Sequence, residues 1–527
     1  MRRWNSWGDP SRDYPLTNEA LGFLTEEVGS STPRREVGLE DVVKKVPASR
    51  VTPHQLLRTD PEIRIYHSRG QSLDDWLCLK FGKVDTFPDA VAFPENEDEV
   101  RQLLCLAEEK SYKIIPYGGG TSVTGHINPL PGSDPVITVS MRNFSRLIDI
   151  DNESCIATIG AGAYGPEIES QLRGKGYVLG HFPQSFELST LGGWVVTRSS
   201  GQQSLRYGRI EQLFAGGQLE TPAGTLSIPT FPASAAGPDL REMVLGSEGR
   251  LGILTNVKVR VTEIPEKEKF SVYFFPDWEV ARNCIRKLVQ QKIGASMLRL
   301  SNTVETATNL ILAGHPKGIK CLEQYLRCRG IGDGKCMLVA GYSGTRKQVK
   351  TAMLEMAKAL RAVGGVSAGS FLGNKWANSR FKAPYLREAL WQQGYIVDTV
   401  ETAVDWSKLN NLVDKVEACL GGGLDGVKVH VFTHLSHMYS QGASCYTTYV
   451  FPVSEDFESS LHVWRTLKSR VSKAIISAGG TISHQHGVGK DHKPYLKHEK
   501  SDLGIRMINS VLETVDPDQL MNPGTLI

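Results

Sequence analysis

His484-Gln485-His486, followed by Gly487-Val488-Gly489-Lys490, places two imidazoles two residues apart beside glycines. On an extended segment both rings project to one side. An imidazole titrates near neutrality, so either ring suits proton transfer, and the glycines let a substrate come close. A second set, His430, His434 and His437, has the i, i+4, i+7 spacing of one helical face. The β-branched residues around it instead predict a strand, which splits that face. These three are read as polar lining of a cleft with no metal assigned, a divalent-metal site being the alternative.

Pro116-Tyr117-Gly118-Gly119-Gly120-Thr121-Ser122 suits other chemistry. Consecutive glycines let backbone N–H groups converge on one point, and such a nest binds anionic oxygen. Thr121 and Ser122 add O–H donors. A phosphate or pyrophosphate cradle is the functional reading, and a glycine-rich hairpin turn is the alternative. No lysine follows the glycines, so the loop is not a nucleoside-triphosphate P-loop.

Two more glycine-rich stretches follow. Residues Gly180 to Gly201 carry Ser185, Ser189, Thr190, Thr197, Ser199 and Ser200 around Gly192-Gly193 and an apolar Trp194-Val195-Val196. This reads as a long functional loop around a ligand rich in acceptors. Gly246-Ser247-Glu248-Gly249-Arg250-Leu251-Gly252-Ile253 offers small residues at a turn where a ring system could press on backbone. A fourth stretch, Gly160-Ala161-Gly162-Ala163-Tyr164-Gly165, matches the dinucleotide fingerprint literally. No acidic residue follows the next strand to hold a ribose, and the preceding strands read as a meander, so the match is taken as a decoy.

The elements that must position these residues alternate along the chain. A strand at 90–93, an amphipathic helix at 96–107 and a strand at 112–116 lead into the first loop. Short strands at 136–139, 146–150 and 155–159 follow, and a β-branched run at 251–261 closes the region. Beyond Pro265, predicted helices at 279–292, 349–363 and 406–420 interleave with strands at 336–342, 428–435 and 446–453, as in a separate α+β domain.

At 527 residues two or three domains are expected. A net charge of +3 and the absence of a dense basic run give no sign of nucleic-acid binding. No 18-residue apolar run predicts a membrane span, and no secretory leader is visible at the N-terminus. Nine scattered cysteines, without zinc or disulfide-frame spacing, read as reduced thiols.

Taken in order, the segments 116–122, 183–193 and 246–252 resemble the FAD-binding domain of the vanillyl-alcohol oxidase family. Within it the chain most resembles the alkyldihydroxyacetonephosphate synthases, through Trp4-Asn5-Ser6-Trp7-Gly8-Asp9, Gly180-His181 and Ser483 to Lys490, over nearly its whole length. The resemblance implies an α+β fold: a two-part FAD-binding domain with an α+β cap, or substrate, domain. Residues 1–80 would be a partly helical extension, 81–265 the FAD domain, 266–480 the cap, and 481–527 a segment returning to the active site.

It further implies a non-covalently held FAD. The cofactor residues carried over are Pro116, Tyr117, Gly118, Gly119, Gly120, Thr121 and Ser122 at the pyrophosphate. Pro183, Gln184, Ser185, Ser189, Thr190, Gly193, Thr197 and Ser199, with Glu248, Gly249, Leu251, Gly252 and Ile253, line adenosine and isoalloxazine. In the implied reaction a base removes a proton from the carbon bearing the ester of acyl-dihydroxyacetone phosphate. The acid leaves, the flavin traps that carbon, and a long-chain alcohol gives an ether with no net redox change. Tyr446, His181, His484 and His486 match catalytic residues, and Arg387 and Arg299 match substrate-binding ones.

The chain departs from the family where three consecutive histidines become His-Gln-His, and at His430, His434 and His437. Met521-Asn522-Pro523-Gly524 looks more like FAD-dependent D-2-hydroxy-acid dehydrogenases, which supply the alternative function. The expected partners are a lipid substrate, a peripheral membrane patch around Trp376–Trp391 and a second copy in a homodimer, with a cytoplasmic location and no nucleic acid.

Overall fold

The computed structural model describes residues 2–314, 316–424 and 426–527. Asn96 caps the helix Glu97–Lys110 by accepting from the Glu99 N–H, and three acidic residues fill its first turn, where they complement the helix dipole. Val100, Leu103, Leu104 and Ala107 face inward at helical spacing. They pack on Ala90, Ile114, Ile137 and Val139 of a small sheet. In that sheet Ala90–Ala92, Val136–Ser140 and Lys113–Tyr117 run parallel, with Leu57–Arg58 at one edge. The first glycine loop therefore leaves the C-terminal end of a buried parallel strand.

A second sheet is antiparallel and five-stranded: Leu147–Asp151, Ile156–Gly160, Ile253–Arg260, Phe214–Thr221 and Gly224–Ile228. The decoy fingerprint ends its second strand. A Cβ at Gly160 or Gly162 would overlap the Phe144 or Met141 carbonyl, and one at Gly165 would meet Phe186. These glycines serve backbone crossings within the same unit.

The third sheet has seven antiparallel strands, in the order Val366–Gly369, Lys267–Phe275, Cys336–Gly344, Met297–Ser301, His430–Met438, Gly442–Pro452 and Tyr395–Asp405. Strand alternation divides its two faces. Leu435, Cys445 and Tyr449 join a core with the helices Trp278–Gln290, Arg346–Ala362, Leu409–Gly421 and Phe457–Ser477. The opposite face carries Arg299, His434 and Tyr446 toward the glycine loops.

The chain ends return to the centre. The strand residue Ile114 bridges to Met521, and Asn522 Nδ2 donates to the carbonyls of His126 (2.8 Å) and Glu248 (2.6 Å). Asn522 thus ties the C-terminal segment to the backbone beside the first and third glycine loops. The helix Asn18–Val28 packs Leu24 and Val28 on Leu390, Tyr395 and Val450 of the third sheet's domain.

Some expectations change. The 180–201 stretch is not all loop. It holds the helix Leu191–Val196, whose Leu191, Trp194 and Val195 are buried at i, i+3, i+4, a signal masked by Gly192-Gly193. Trp391 is no surface residue: it is 1% exposed and packs edge-on against Trp76 and Phe81. The exposed aromatic near that segment is Phe371.

Candidate cofactor and substrate site

The three glycine-rich segments meet along one cavity of about 1430 Å³. That exceeds the roughly 300–1,000 Å³ of a typical small-molecule site, so it has room for a dinucleotide and a second ligand. Gly118 and Gly119 let the first loop lie against the second: side chains there would run into Thr190 Oγ1 and the Leu188 carbonyl. Glu248, in the third segment, adopts a left-handed backbone (φ 51°) between two positive-φ glycines, Gly246 and Gly249. Its carboxylate accepts from the N–H groups of Val488 and Gly489 (2.8 Å to the latter), which ties the flank of the His-Gln-His segment to the third loop. Burial raises that carboxyl to about 7.

The loops bring Pro116, Tyr117, Gly118, Gly119, Gly120, Thr121 and Ser122 to the cavity wall. Pro183, Gln184, Ser185, Ser189, Thr190, Gly193, Thr197, Ser199, Glu248, Gly249, Gly252 and Ile253 also lie on it. Leu251 does not. It is buried among Trp194, Leu245 and Leu254. Thr190 Oγ1 is buried with no hydrogen-bond partner and lines the cavity, as a site built for an acceptor-rich ligand requires. The donor set and the close-packed glycines fit an FAD.

Beyond the loops the cavity meets the third sheet. His434, Tyr446 and Glu401 are cross-strand partners, side by side on three adjacent strands. The His434 ring stacks on Tyr446 at 5.0 Å, and the His486 ring meets Tyr446 edge-on at 5.9 Å. Tyr446 Oη donates to Gln184 Oε1 (3.3 Å), linking the sheet to the second loop. Burial pushes the Tyr446 phenol above its usual value, so it stays neutral across physiological pH.

Glu401 is the hub that sequence reading missed. Its carboxylate accepts from Gln485 Nε2 (2.6 Å), Ser436 Oγ (2.8 Å) and His484 Nδ1 (3.0 Å). His486 Nε2 and His437 Nδ1 each lie 3.5 Å away. Although Glu401 is buried, its histidine partners hold it well below the usual carboxylate range. A one-residue slip between Leu435 and Met438 aims His437 at this carboxylate. The ligand atoms of Glu401, His437 and His484 come within 4.8 Å of one another. The Arg209 guanidinium, 3.2 Å from His484 Nε2, opposes a cation there, and we read the group as a hydrogen-bonded carboxylate. His430 turns elsewhere, to Thr308 (3.0 Å) and Glu27 (3.3 Å).

The catalytic candidates thus divide. Tyr446 and His486 line the cavity. His484 faces a second cavity of about 1570 Å³, with Tyr439 Oη 2.6 Å from its Nε2. His181 is fully buried beside Ser199 Oγ (3.1 Å) and Trp194, and burial lowers its ring to about 3. Neither ring lines the cofactor cavity.

Arg299 and Arg387 both reach the cavity. Arg299 pairs with Glu305 (2.7 Å), which also holds His434 (2.9 Å). With His434 and Arg299 beside it, the Glu305 carboxyl falls to about 2 despite burial. Arg387 is different. Its Nη1 donates to the Gln71 carbonyl (2.7 Å) and its guanidinium stacks 4.7 Å from the Trp76 ring, while Nε and Nη2 are buried without partners. A buried, half-satisfied guanidinium fork is a receptor for an anion. The same cavity is lined by the apolar Leu310, Ile319, Leu322, Met337 and Trp376 and by Phe371, which is 80% exposed.

Comparison with known proteins agrees with this geometry. Residues 88–228 match the model of the FAD binding domain, and residues 264–526 match that of the FAD linked oxidases, C-terminal domain. The alkyldihydroxyacetonephosphate synthase of Dictyostelium discoideum is 32% identical, over 100% of this chain and 93% of its own. A solved alkyldihydroxyacetonephosphate synthase superposes with a TM-score of 0.85 at 27% identity, covering 99% of this chain and 98% of the other. The p-cresol methylhydroxylase structure shares the fold at a TM-score of 0.66 and 12% identity, over 97% of each chain.

Proposed function

The chain belongs to the alkyldihydroxyacetonephosphate synthase family of FAD-linked flavoproteins, and on that premise we propose that it exchanges the acyl group of acyl-dihydroxyacetone phosphate for a long-chain alcohol, forming an ether lipid precursor. The observation that carries this reading is the apolar arm of the cavity, the Leu310, Ile319, Leu322, Met337 and Trp376 lining that shares one cavity with Arg387 and the exposed Phe371. A small hydroxy acid has no use for such a passage; an alkyl chain does.

The three loops would hold FAD non-covalently, and when bound it would supply an electron-accepting ring. Arg387 binds the substrate phosphate through the two nitrogens that lack protein partners, and Trp76 fixes the plane of the fork. His486 takes the proton from the carbon bearing the ester, with Glu401 orienting its Nε2. Tyr446, neutral and set between His434 and His486, turns its one O–H from Gln184 to hydrogen-bond the leaving carboxylate oxygen. His484 and Gln485 hold Glu401 in place. Gln485 also accepts from the Ser200 N–H (3.1 Å), so the departure from three histidines serves the join between sheet and loop. Phe371, at the mouth, is where the protein would touch a membrane surface; vesicle flotation of the wild type and of Phe371→Ser tests this.

The function is tested by incubating the flavin-loaded protein with acyl-dihydroxyacetone phosphate and hexadecanol. Ether product is expected. Absence of product, together with anaerobic bleaching of the flavin by a D-2-hydroxy acid, would establish the dehydrogenase instead.

A further inference from the structure

Arg2 lies against the first glycine loop, 115 positions from Tyr117 in sequence. Its Nη1 donates to Tyr117 Oη (2.8 Å), which in turn donates to the Tyr66 carbonyl (3.1 Å). A side chain at Gly120 would run into Arg2 Nη2. The ionisable groups facing the guanidinium are the phenols of Tyr117, Tyr164 and Tyr66 and the His67 imidazole, which burial and Arg2 keep below its ordinary value. Among the described residues no carboxylate lies within ion-pair distance of it, and its remaining nitrogens make no further hydrogen bond.

The segment that carries Arg2 is docked firmly. Arg3 sits 3.3 Å from Glu388, and Ser6 Oγ donates to the same carboxylate. Glu388 is held from the other side by Lys80, fully buried, at 2.8 Å. Trp7 and Tyr14 form part of the cavity wall. Residues 2–14 therefore run as a strap from the glycine loop to the helix Leu386–Trp391, which bears Arg387.

We propose that Arg2 is a ligand of the cofactor's diphosphate, and that the strap which carries it closes the cofactor site. The proposal rests on the FAD assignment above and adds the cation that the loop lacks. The loop itself offers backbone N–H groups and two hydroxyls against two negative charges, and no lysine follows it. A guanidinium hydrogen-bonded to one phenol and without a carboxylate partner at that edge completes the charge balance, with a fork suited to phosphate oxygens.

The test uses the full chain stripped of flavin and titrated with FAD, read by quenching of flavin fluorescence at low and high salt. Arg2→Gln is expected to weaken FAD binding about tenfold or more, as loss of a charge-assisted hydrogen bond does, and to flatten the salt dependence. Arg3→Gln, which loosens the strap at Glu388 but leaves the charge at the loop, is expected to stay within about threefold of wild type. Wild-type affinity in Arg2→Gln overturns the proposal. So does an equal loss in Arg3→Gln, because strap docking would then explain the effect. Ether synthesis by the wild type is scored separately: a wild type that binds FAD in the Arg2-dependent manner yet makes no ether ends the synthase reading and leaves the Arg2 assignment standing.

Discussion

His484 Nδ1 lies 3.0 Å from Glu401 Oε1, and the other oxygen of that carboxylate faces His486 Nε2 at 3.5 Å. One buried anion therefore spans two histidines that sit on different cavities. Burial lowers the His486 ring below its ordinary value, and Glu401 raises it part of the way back. The acid limb of kcat/KM, where the base becomes protonated, is expected below pH about 6.5.

Glu401→Gln removes the group that raises His486. The ring becomes harder to protonate, so the acid limb moves to still lower pH. At neutral pH the variant loses roughly 10²-fold in kcat, because the imidazole is no longer oriented. Flavin absorbance should persist, since Glu401 is not among the residues lining the cofactor cavity. A pH–rate profile superimposable on wild type would remove Glu401 from the mechanism.

Arg387 is expected to cost stability and contribute binding. Its pKa is lowered, chiefly by burial, and two of its nitrogens have no partner. Arg387→Met should raise KM for the phosphate substrate by about tenfold or more while leaving Tm unchanged or higher. Arg387→Lys should not restore KM, because an ammonium cannot stack on Trp76 and present a fork. A fall in Tm with an unchanged KM would make Arg387 a structural residue.

Much of this was legible in the sequence. The glycine loops are readable because a backbone that must approach another backbone within a methyl's width tolerates only glycine, a local demand. The strand at His430–Met438 was visible from its β-branched residues. Glu401 was not. In Tyr395–Asp405 the acids Asp398, Glu401 and Asp405 fall at i, i+3, i+7, which mimics a solvated helical face, and only pairing with Tyr446 turns Glu401 inward. Arg2 was invisible for a different reason: its site is made by a contact across 115 positions of chain. The helix Phe457–Ser477 was also missed, although Leu461, Trp464, Leu467, Val471 and Ile475 carry a regular helical stripe.

Narrowing the apolar arm should separate long alcohols from short ones. Met337 is half-buried on the strand Cys336–Gly344 and lines the arm. Met337→Trp adds bulk where a chain must pass. Its kcat/KM for hexadecanol should fall at least about tenfold, the scale of burying several methylenes, with a smaller loss for octanol. Equal losses for both alcohols would mean that the alkyl chain takes another route.

Tyr446 makes the sharpest claim about protonation. Its phenol stacks on His434 and hydrogen-bonds Gln184, yet burial raises its pKa rather than lowering it. A phenol raised in this way is expected to act as a neutral donor rather than as a phenolate base near neutral pH. The alkaline limb of kcat should therefore show no Tyr446 titration up to pH about 10, the ordinary value for tyrosine. Tyr446→Phe gives up only the 3.3 Å hydrogen bond to Gln184 and leaves Arg387 and the glycine loops' own contacts in place, so it should largely keep FAD and substrate affinity and lose roughly 10²-fold in kcat. An alkaline limb in the wild type that vanishes in Tyr446→Phe would instead show the phenolate to be the working base and would reverse the roles assigned to Tyr446 and His486.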